Sequence, residues 1–370
     1  MPSIQSPSNL FKPRTINAQI QVKHRVVLAP LTRIRATKDH VPTLPLMKDY
    51  YSQRASTPGT LIIGEATMID PRAGGIIHAP GIYTKEHIAA WKEVVDSVHS
   101  KDSYMFCQLW ACGAHNIEES DPPAPSSSGN SPGPMQSSGA TIPEYIQIYA
   151  AAAHNAVHEA HFDGVEIHAA NGFLIDQFIQ DVKSERKNDG YGGSVERRSR
   201  FALEVVRAVV EAVGSAQKVG IRLSPWSPYN GMGMPDPIPQ FSHLVSSIKQ
   251  EFPDFGYIHI IEPRVAADED YEAGIHRGRA ANDFLRNIWS PKPYIASGGY
   301  NREEAIRRAD ERENELVAFG RRFIANPDLP VRLENDLPLN PYDRSTFYLT
   351  GDTTGRGYTD YPFYAAPTSV

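Results

Sequence analysis

Eight short apolar runs, each followed by a helix-length amphipathic stretch, constrain this chain more than any other feature. They are rich in β-branched residues and cover 26–30, 61–66, 104–109, 164–168, 219–223, 257–261, 293–296 and 316–319. Runs of this kind read as strands. The segments between them have the matching helical period. Residues 85–100 place Ile88, Trp91, Val95 and Val98 on one face, and 143–161 opens with Thr141-x-x-Glu144, a capping-box pattern. Residues 194–213 start at Ser194 and repeat Phe201, Val205 and Val209 every four positions, with Val206 and Val213 beside them. Strand then helix, eight times over, predicts an α/β fold: a single (β/α)8 TIM barrel spanning 1–370 as one domain.

A doubly wound open sheet produces the same alternation, but it gathers its polar residues at one crevice, whereas a barrel draws them from many strand ends. Here nearly every run ends in an informative residue. No GxGxxG follows a strand; Gly231-Met232-Gly233 comes after Pro-rich sequence and lacks the third glycine. Residues 118–139, with DPPAPSSSGNSPGP at their centre, predict an irregular surface loop after the third strand, either a variable insertion or part of a substrate lid.

A net charge of −6 without any basic block argues against a nucleic-acid or anionic-membrane partner. No run of about 18 apolar residues and no signal-peptide pattern occurs, so the expectation is a soluble, cytoplasmic protein. Two cysteines, Cys107 and Cys112, fall at or just after one strand and read as packing thiols.

The fourth run reads Val165-Glu166-Ile167-His168-Ala169-Ala170-Asn171-Gly172-Phe173. A strand that delivers His168 to a barrel mouth, with Asn171 just beyond, presents two hydrogen-bond donors from a rigid base. Such a pair can hold one carbonyl oxygen and stabilise the charge that develops on it when a nucleophile adds to a conjugated carbon. Alone, HxxN reads equally as a core histidine followed by a capping asparagine. The surroundings weigh against that. DGVEIHAANGFLIDQF, then Asp189-Gly190-Tyr191-Gly192-Gly193-Ser194 and Glu196-Arg197-Arg198-Ser199-Arg200-Phe201, resembles the signature of the old yellow enzyme family, and the likeness runs along almost the whole chain.

The resemblance implies FMN as the bound cofactor, NADPH or NADH as a transient hydride donor, and a small enone or enal as substrate. Ala29-Pro30-Leu31-Thr32-Arg33 resembles the first flavin-contacting segment, which implies contacts from Pro30 and Leu31 and a Thr32 hydroxyl that modulates the redox potential. Ala66 ends the second run as a further flavin neighbour. Gln108 and Trp110 in CQLW imply a partner for the flavin pyrimidine edge and a pocket wall. Arg222 in IRLSPW implies a permanent charge beside an anionic reduced flavin. Each of these can instead be a buried polar residue with a structural partner. Barrel enzymes often bind phosphate after strands seven and eight, where this chain has Gly298 and Gly299, then Gly320 and Arg321 in GRRFIANPD. The resemblance makes Arg321 the phosphate ligand, Phe347 a flavin contact and Tyr348 a substrate-border residue.

Three departures from the family pattern matter. Phe173 stands where reductases of the family carry a tyrosine that protonates the substrate, and a phenyl ring has no proton to give. Water or Tyr348 then protonates the intermediate, or the hydride returns and the double bond isomerises without net reduction, or the flow reverses into dehydrogenation. Ile76 replaces a pocket aromatic and predicts a more aliphatic cavity. Gly299 replaces an asparagine beside the phosphate, leaving backbone donors. ANGFLIDQF, IAAWKEVVDSVHSK and LSPW further resemble the fungal branch that handles chanoclavine-I aldehyde, whose members include reductases and isomerases and belong to alkaloid secondary metabolism.

Two other function classes bear on the chain. His154, His158 and His161 with Glu159 invite a metal-hydrolase reading, but His158-Glu159-Ala160-His161 is one residue short of HExxH and reads as a solvated helix face, so no metal is expected. A non-catalytic flavin carrier would not need the carbonyl-binding pair. Whether the protein is a monomer or a homodimer is open at this level.

Overall fold

In a computed structural model, which describes residues 8–113, 141–180, 182, 190–263 and 281–365, the eight runs close into one parallel barrel. A short antiparallel hairpin, β1 (Arg14–Thr15) and β2 (Gln21–Val22), precedes it. The barrel strands are β3 (Val26–Leu28), β4 (Leu61–Met68), β5 (Tyr104–Trp110), β6 (Gly164–Ala169), β7 (Val219–Leu223), β8 (Tyr257–Ile261), β9 (Tyr294–Ser297) and β10 (Glu315–Phe319), and β10 pairs back onto β3. The loop expected at 118–139 lies outside the described residues.

The two-residue period of a strand sorts each run between two environments. Cys107 and Leu109, Val165 and Ile167, Ile221 and Leu223, and Ile258 and Ile260 belong to the large core between barrel and helices. Their neighbours one residue away point into the barrel: Val27, Leu61, Ile63, Phe106, Tyr257, Ile295 and Leu316 form a second cluster, which Ile16, Ile20 and Val22 of the hairpin close from below. Two glycines make room for the aromatic floor. A Cβ on Gly164 would run into the Phe106 ring, and one on Gly220 into the Tyr257 ring.

The outer helices follow their signals. The helix Lys85–His99 buries Trp91, Val95 and Val98 with Ile88 partly covered, and the helix Val195–Val213 buries Phe201, Val205, Val206, Val209 and Val213. Ser194 caps the latter by accepting from the Arg197 N–H, and Gly214 ends it at φ 77°, a left-handed conformation in which a Cβ is disfavoured. At Thr141, the Glu144 carboxylate accepts from the backbone N–H, as the capping box predicts, and also from the hydroxyl. This helix departs from expectation at its other end. Instead of continuing to 161 it stops at His154 and widens into a π turn over Asn155–Glu159, where the Asn155 amide donates to Ile82 O at 2.9 Å.

Strand ends shift by one to two residues from the sequence reading, and one shift has structural consequences. β4 runs on to Met68, and its register against β5 slips between Ile63 and Ala66. A bulge of this kind reverses the inward parity. Leu61 and Ile63 face the barrel floor, but beyond the bulge it is Ala66 and Met68, not Glu65 and Thr67, that join the apolar residues at the mouth. No described helix is long and apolar enough to cross a membrane.

Candidate active site

Above the aromatic floor the inward positions turn polar. Gln108 on β5 sits opposite Glu166 on β6, His168 opposite Arg222 on β7, and Arg222 opposite His259 on β8. Gln108 Nε2 donates to Glu166 Oε1 at 2.8 Å, and His259 Nδ1 lies 2.9 Å from Glu166 Oε2. Burial pushes the Glu166 carboxyl pKa up, but His259, Arg222 and the Gln108 amide outweigh it and hold the group below the usual range. Burial lowers the His259 and His168 pKa values, for His168 with Arg222 and His259 adding to the effect. His168 is therefore a neutral imidazole with one N–H to donate.

The turn after β6 is built around Asn171 at φ 57° and Gly172 at φ 71°. Its backbone is held from below. Asn171 N–H donates to Ser224 Oγ at 2.8 Å, Gly172 N–H to Asp176 Oδ2 at 2.8 Å, and Asn230 Nδ2 to Asn171 O at 2.9 Å. Burial raises the Asp176 pKa to about 7. These contacts fix an asparagine in the left-handed region of backbone space, in the turn three residues after His168.

Phe173 closes this wall. Its ring meets His168 edge-on at 5.1 Å and Trp110 edge-on at 5.2 Å. A small apolar cluster of Ala66, Met68, Ala79, Trp110 and Cys112, with Ile76, Tyr83 and Phe173 packed on it, lies apart from the main core. The expected pocket residues Ile76, Trp110 and Phe173 are thus brought together.

On the opposite side of the mouth, β3 is followed by Pro30, Leu31 and Thr32, with Leu31 and Thr32 partly exposed. A Cβ on Gly320 would lie 3.0 Å from the Leu31 side chain, so the loops after β3 and β10 adjoin. Gly298 (φ 133°) and Gly299 (φ 69°) follow β9, whose end pairs with β10, which brings both glycine loops and Arg321 to one edge. Arg33 draws in the C-terminal segment: its guanidinium donates to Phe347 O at 3.1 Å, Thr346 O at 3.3 Å and Gly357 O at 2.8 Å, while its N–H donates to Glu65 Oε2 at 3.1 Å. Phe347 is buried by this arrangement, and Tyr348 sits exposed on the rim, its ring 6.5 Å from that of Phe347.

Whether FMN suits this mouth can be judged from the polar atoms it buries. His168 Nδ1, Asn171 Oδ1, Arg222 Nε and Trp110 Nε1 have no hydrogen-bond partner among the described residues. Buried polar groups are normally paired, so a cluster of such atoms at the ends of three adjacent strands fits a polar occupant. The Gln108 carbonyl oxygen and the Arg222 cation suit the imide edge of an isoalloxazine, and the glycine loops suit a phosphate.

Sequence reading passed over Glu166, His259, Asp176, Ser224 and Arg33 as site residues. Glu166 was legible: it lies two residues before His168 and so on the same face of the strand. His259 is the one polar residue inside Tyr257–Ile261 apart from the floor tyrosine, a comparable signal. Nothing local marks Ser224, which accepts from Asn171 N–H 53 positions away, or Arg33, whose guanidinium reaches carbonyls more than 300 positions away. Of the histidine trio, His154 and His158 have their ring centroids 4.8 Å apart with the rings tilted by 42°, and His161 lies beyond the π turn at φ 64°. Among the described residues no group of three or more His, Cys, Asp or Glu side chains is placed to hold a metal ion.

Comparison with known proteins bears on the same site. The sequence model of the NADH:flavin oxidoreductase / NADH oxidase family matches residues 9–340. The chain is 48% identical to the chanoclavine-I aldehyde reductase fgaOx3 of Penicillium roqueforti, over 97% of both chains. It is 45% identical to easA of Claviceps fusiformis, named a probable inactive dehydrogenase, over 97% of this chain and 95% of that one. The crystal structure of old yellow enzyme from Pichia sp. AKU4542 superposes with a TM-score of 0.83 at 37% identity, covering 97% of this chain and 95% of the other.

Proposed function

Because the chain belongs to the NADH:flavin oxidoreductase / NADH oxidase family, an FMN oxidoreductase of the old yellow enzyme type, we propose that it acts on an α,β-unsaturated carbonyl compound held through its oxygen by His168 and Asn171. Its cofactors are FMN and a nicotinamide nucleotide. The observation that carries the proposal is the pair of polar atoms His168 Nδ1 and Asn171 Oδ1, which have no partner among the described residues and are buried on the wall that Phe173 and Trp110 complete. An asparagine amide can present either its oxygen or its NH2 from this position, so both residues can donate to one carbonyl oxygen.

Bound FMN supplies hydride exchange between its N5 and a substrate β-carbon. The chain's own residues do the rest. Pro30, Leu31, Thr32, Ala66, Gln108, Arg222 and Phe347 hold the ring, and Gly298, Gly299, Gly320 and Arg321 hold the phosphate. His168 and Asn171 withdraw charge from the carbonyl, which makes the β-carbon electrophilic. The neutral state of His168 suits this task, because it retains an N–H without placing a second full charge beside Arg222. Ile76, Trp110, Phe173 and Tyr348 shape the substrate space.

Phe173 governs the fate of the substrate. Packed edge-on against His168, it fills the place of a proton donor with a group that cannot donate. We infer two outcomes: net reduction with the proton drawn from water or from Tyr348, or redox-neutral isomerisation in which the hydride added to the β-carbon leaves the substrate again, so that no nicotinamide is consumed overall. Loss of the donor favours the second, and easA of Claviceps fusiformis is named a probable inactive dehydrogenase.

The test uses purified protein. Its flavin spectrum is recorded, and NADPH and NADH consumption is then followed anaerobically with a conjugated aldehyde while the product mass is measured. One nicotinamide consumed per product two hydrogens heavier establishes a reductase. A product of unchanged mass without stoichiometric consumption establishes an isomerase. Yellow protein that leaves the aldehyde untouched would mark a flavin carrier and end the catalytic reading.

A further inference from the structure

We propose that Glu166 is a positioning residue for the flavin: it sets which way the Gln108 carboxamide faces and offsets the charge of Arg222. The barrel wall thereby offers the pyrimidine edge an acceptor and a partly neutralised cation. This role rests on the proposed seating of that edge against Gln108 and Arg222.

Hydrogen-bond capacity dictates the orientation. An ionised carboxylate only accepts, so the group Gln108 turns toward Glu166 must be its NH2. The 2.8 Å contact from Gln108 Nε2 meets this requirement, and it is made between residues directly opposite each other on β5 and β6. With the NH2 committed to Glu166, the carbonyl oxygen of Gln108 is left for an outside partner. The imide N3–H of an isoalloxazine is a donor and matches it.

The second carboxylate oxygen is fixed by His259 Nδ1 at 2.9 Å, so Glu166 cannot rotate away without stranding a buried donor. Both side chains are fully buried. His259, Arg222 and Gln108 hold the carboxyl in its ionised form against the opposing effect of burial. Glu166 in turn supports the charge on Arg222, whose guanidinium burial alone would disfavour. Glu166 lies opposite Gly220 on the adjacent strand, one inward step below the level of Arg222, and a negative charge there lessens the stabilisation that the cation gives to an anionic reduced flavin, and so lowers the reduction potential.

Two variants of the FMN-loaded enzyme test this, read by the flavin midpoint potential and by the Kd for FMN. Glu166→Gln removes the charge and lets the Gln108 amide turn. The expected result is at least a tenfold shift of the two-electron equilibrium toward reduced flavin, about 30 mV, with FMN bound at least tenfold more weakly. Glu166→Asp keeps the charge but draws it back by one methylene, so FMN binding weakens while the equilibrium stays within about threefold of wild type. An E166Q protein with unchanged potential and affinity overturns the proposal, as does an E166D protein whose potential moves as far as that of E166Q. Should either variant fail to fold, wild-type protein answers with 3-methyl-FMN, which lacks the N3 proton. Binding at least tenfold weaker than FMN supports an acceptor at Gln108, and equal binding overturns it. Wild-type protein that holds no FMN at all would instead remove the flavin-site reading and this inference together.

Discussion

At the amino end of the barrel, Phe106, Tyr257, Ile295 and Leu316 meet Ile16, Ile20 and Val22 of the hairpin in an apolar plug. At the carboxyl end, the same sheet presents Gln108, Glu166, His168, Arg222 and His259, with several buried atoms that have no partner among the described residues. Along β5 a two-residue step separates Phe106 from Gln108, and another separates Gln108 from Trp110. One strand therefore serves both stability and site. The plug contributes through area removed from water, whereas the mouth carries polar groups whose burial opposes folding until something occupies it.

Four experiments probe this contrast, beginning with the largest expected effect. Phe106→Ala empties part of the floor beneath Gly164 and beside Tyr257, and should cost about 3–5 kcal/mol by denaturant unfolding. If floor and mouth are separable, the folded fraction still binds FMN with wild-type affinity. A loss of FMN affinity with little loss of stability would show the plug to be part of the site. His168→Ala should do the reverse. Turnover with a conjugated aldehyde is expected to fall about 10²–10³-fold, while the melting temperature holds or rises because a desolvated polar group is gone. A large drop in melting temperature would make His168 a structural residue.

Phe173→Tyr restores a phenol to the edge-on position between His168 and Trp110. Formation of product two hydrogens heavier should rise by about 10²-fold, at the expense of any product of unchanged mass. Equal product ratios in the two proteins would show that position 173 does not decide the outcome.

The last experiment concerns Asp176, beneath the strained Asn171 turn, whose effect on stability is spread over about three pH units. Its pKa is about 7 in the fold against an ordinary value of 3.8, so between those values the folded state keeps a proton that the unfolded chain gives up. Stability then falls as pH rises through this window, by at most about 1.4 kcal/mol per pH unit. Glu65 behaves in the same sense, since burial raises its carboxyl to about 7, but it is present in both proteins compared. The stability of wild type minus that of Asp176→Asn should therefore decline from pH 4 to 7 and level off above. Parallel profiles would show that Asp176 is ionised in the fold throughout.

Much of this architecture is local and was legible in the sequence. The continuous apolar runs marked the buried strands, the period near four gave Phe201, Val205 and Val209 one helix face, and Ser194, Thr141 and Glu144 marked helix starts through bonds within a few residues; which strand residues face the helices and which the barrel was decided by the fold. The motif around His168 and Asn171 was equally plain, because strand and turn lie in one continuous segment. What required the folded molecule was the choice of distant partners. The slip between Ile63 and Ala66 depends on how β4 lies against β5, and it alone decides that Ala66 and not Glu65 faces the mouth. Arg33 reaches Phe347 and Gly357 across more than 300 positions, and Glu166 takes Gln108 and His259 from 58 and 93 positions away. A residue's own sequence sets its periodicity and its caps, but a buried polar group is satisfied by whichever donor the closed barrel brings within about 3 Å, and that is a property of the tertiary structure alone.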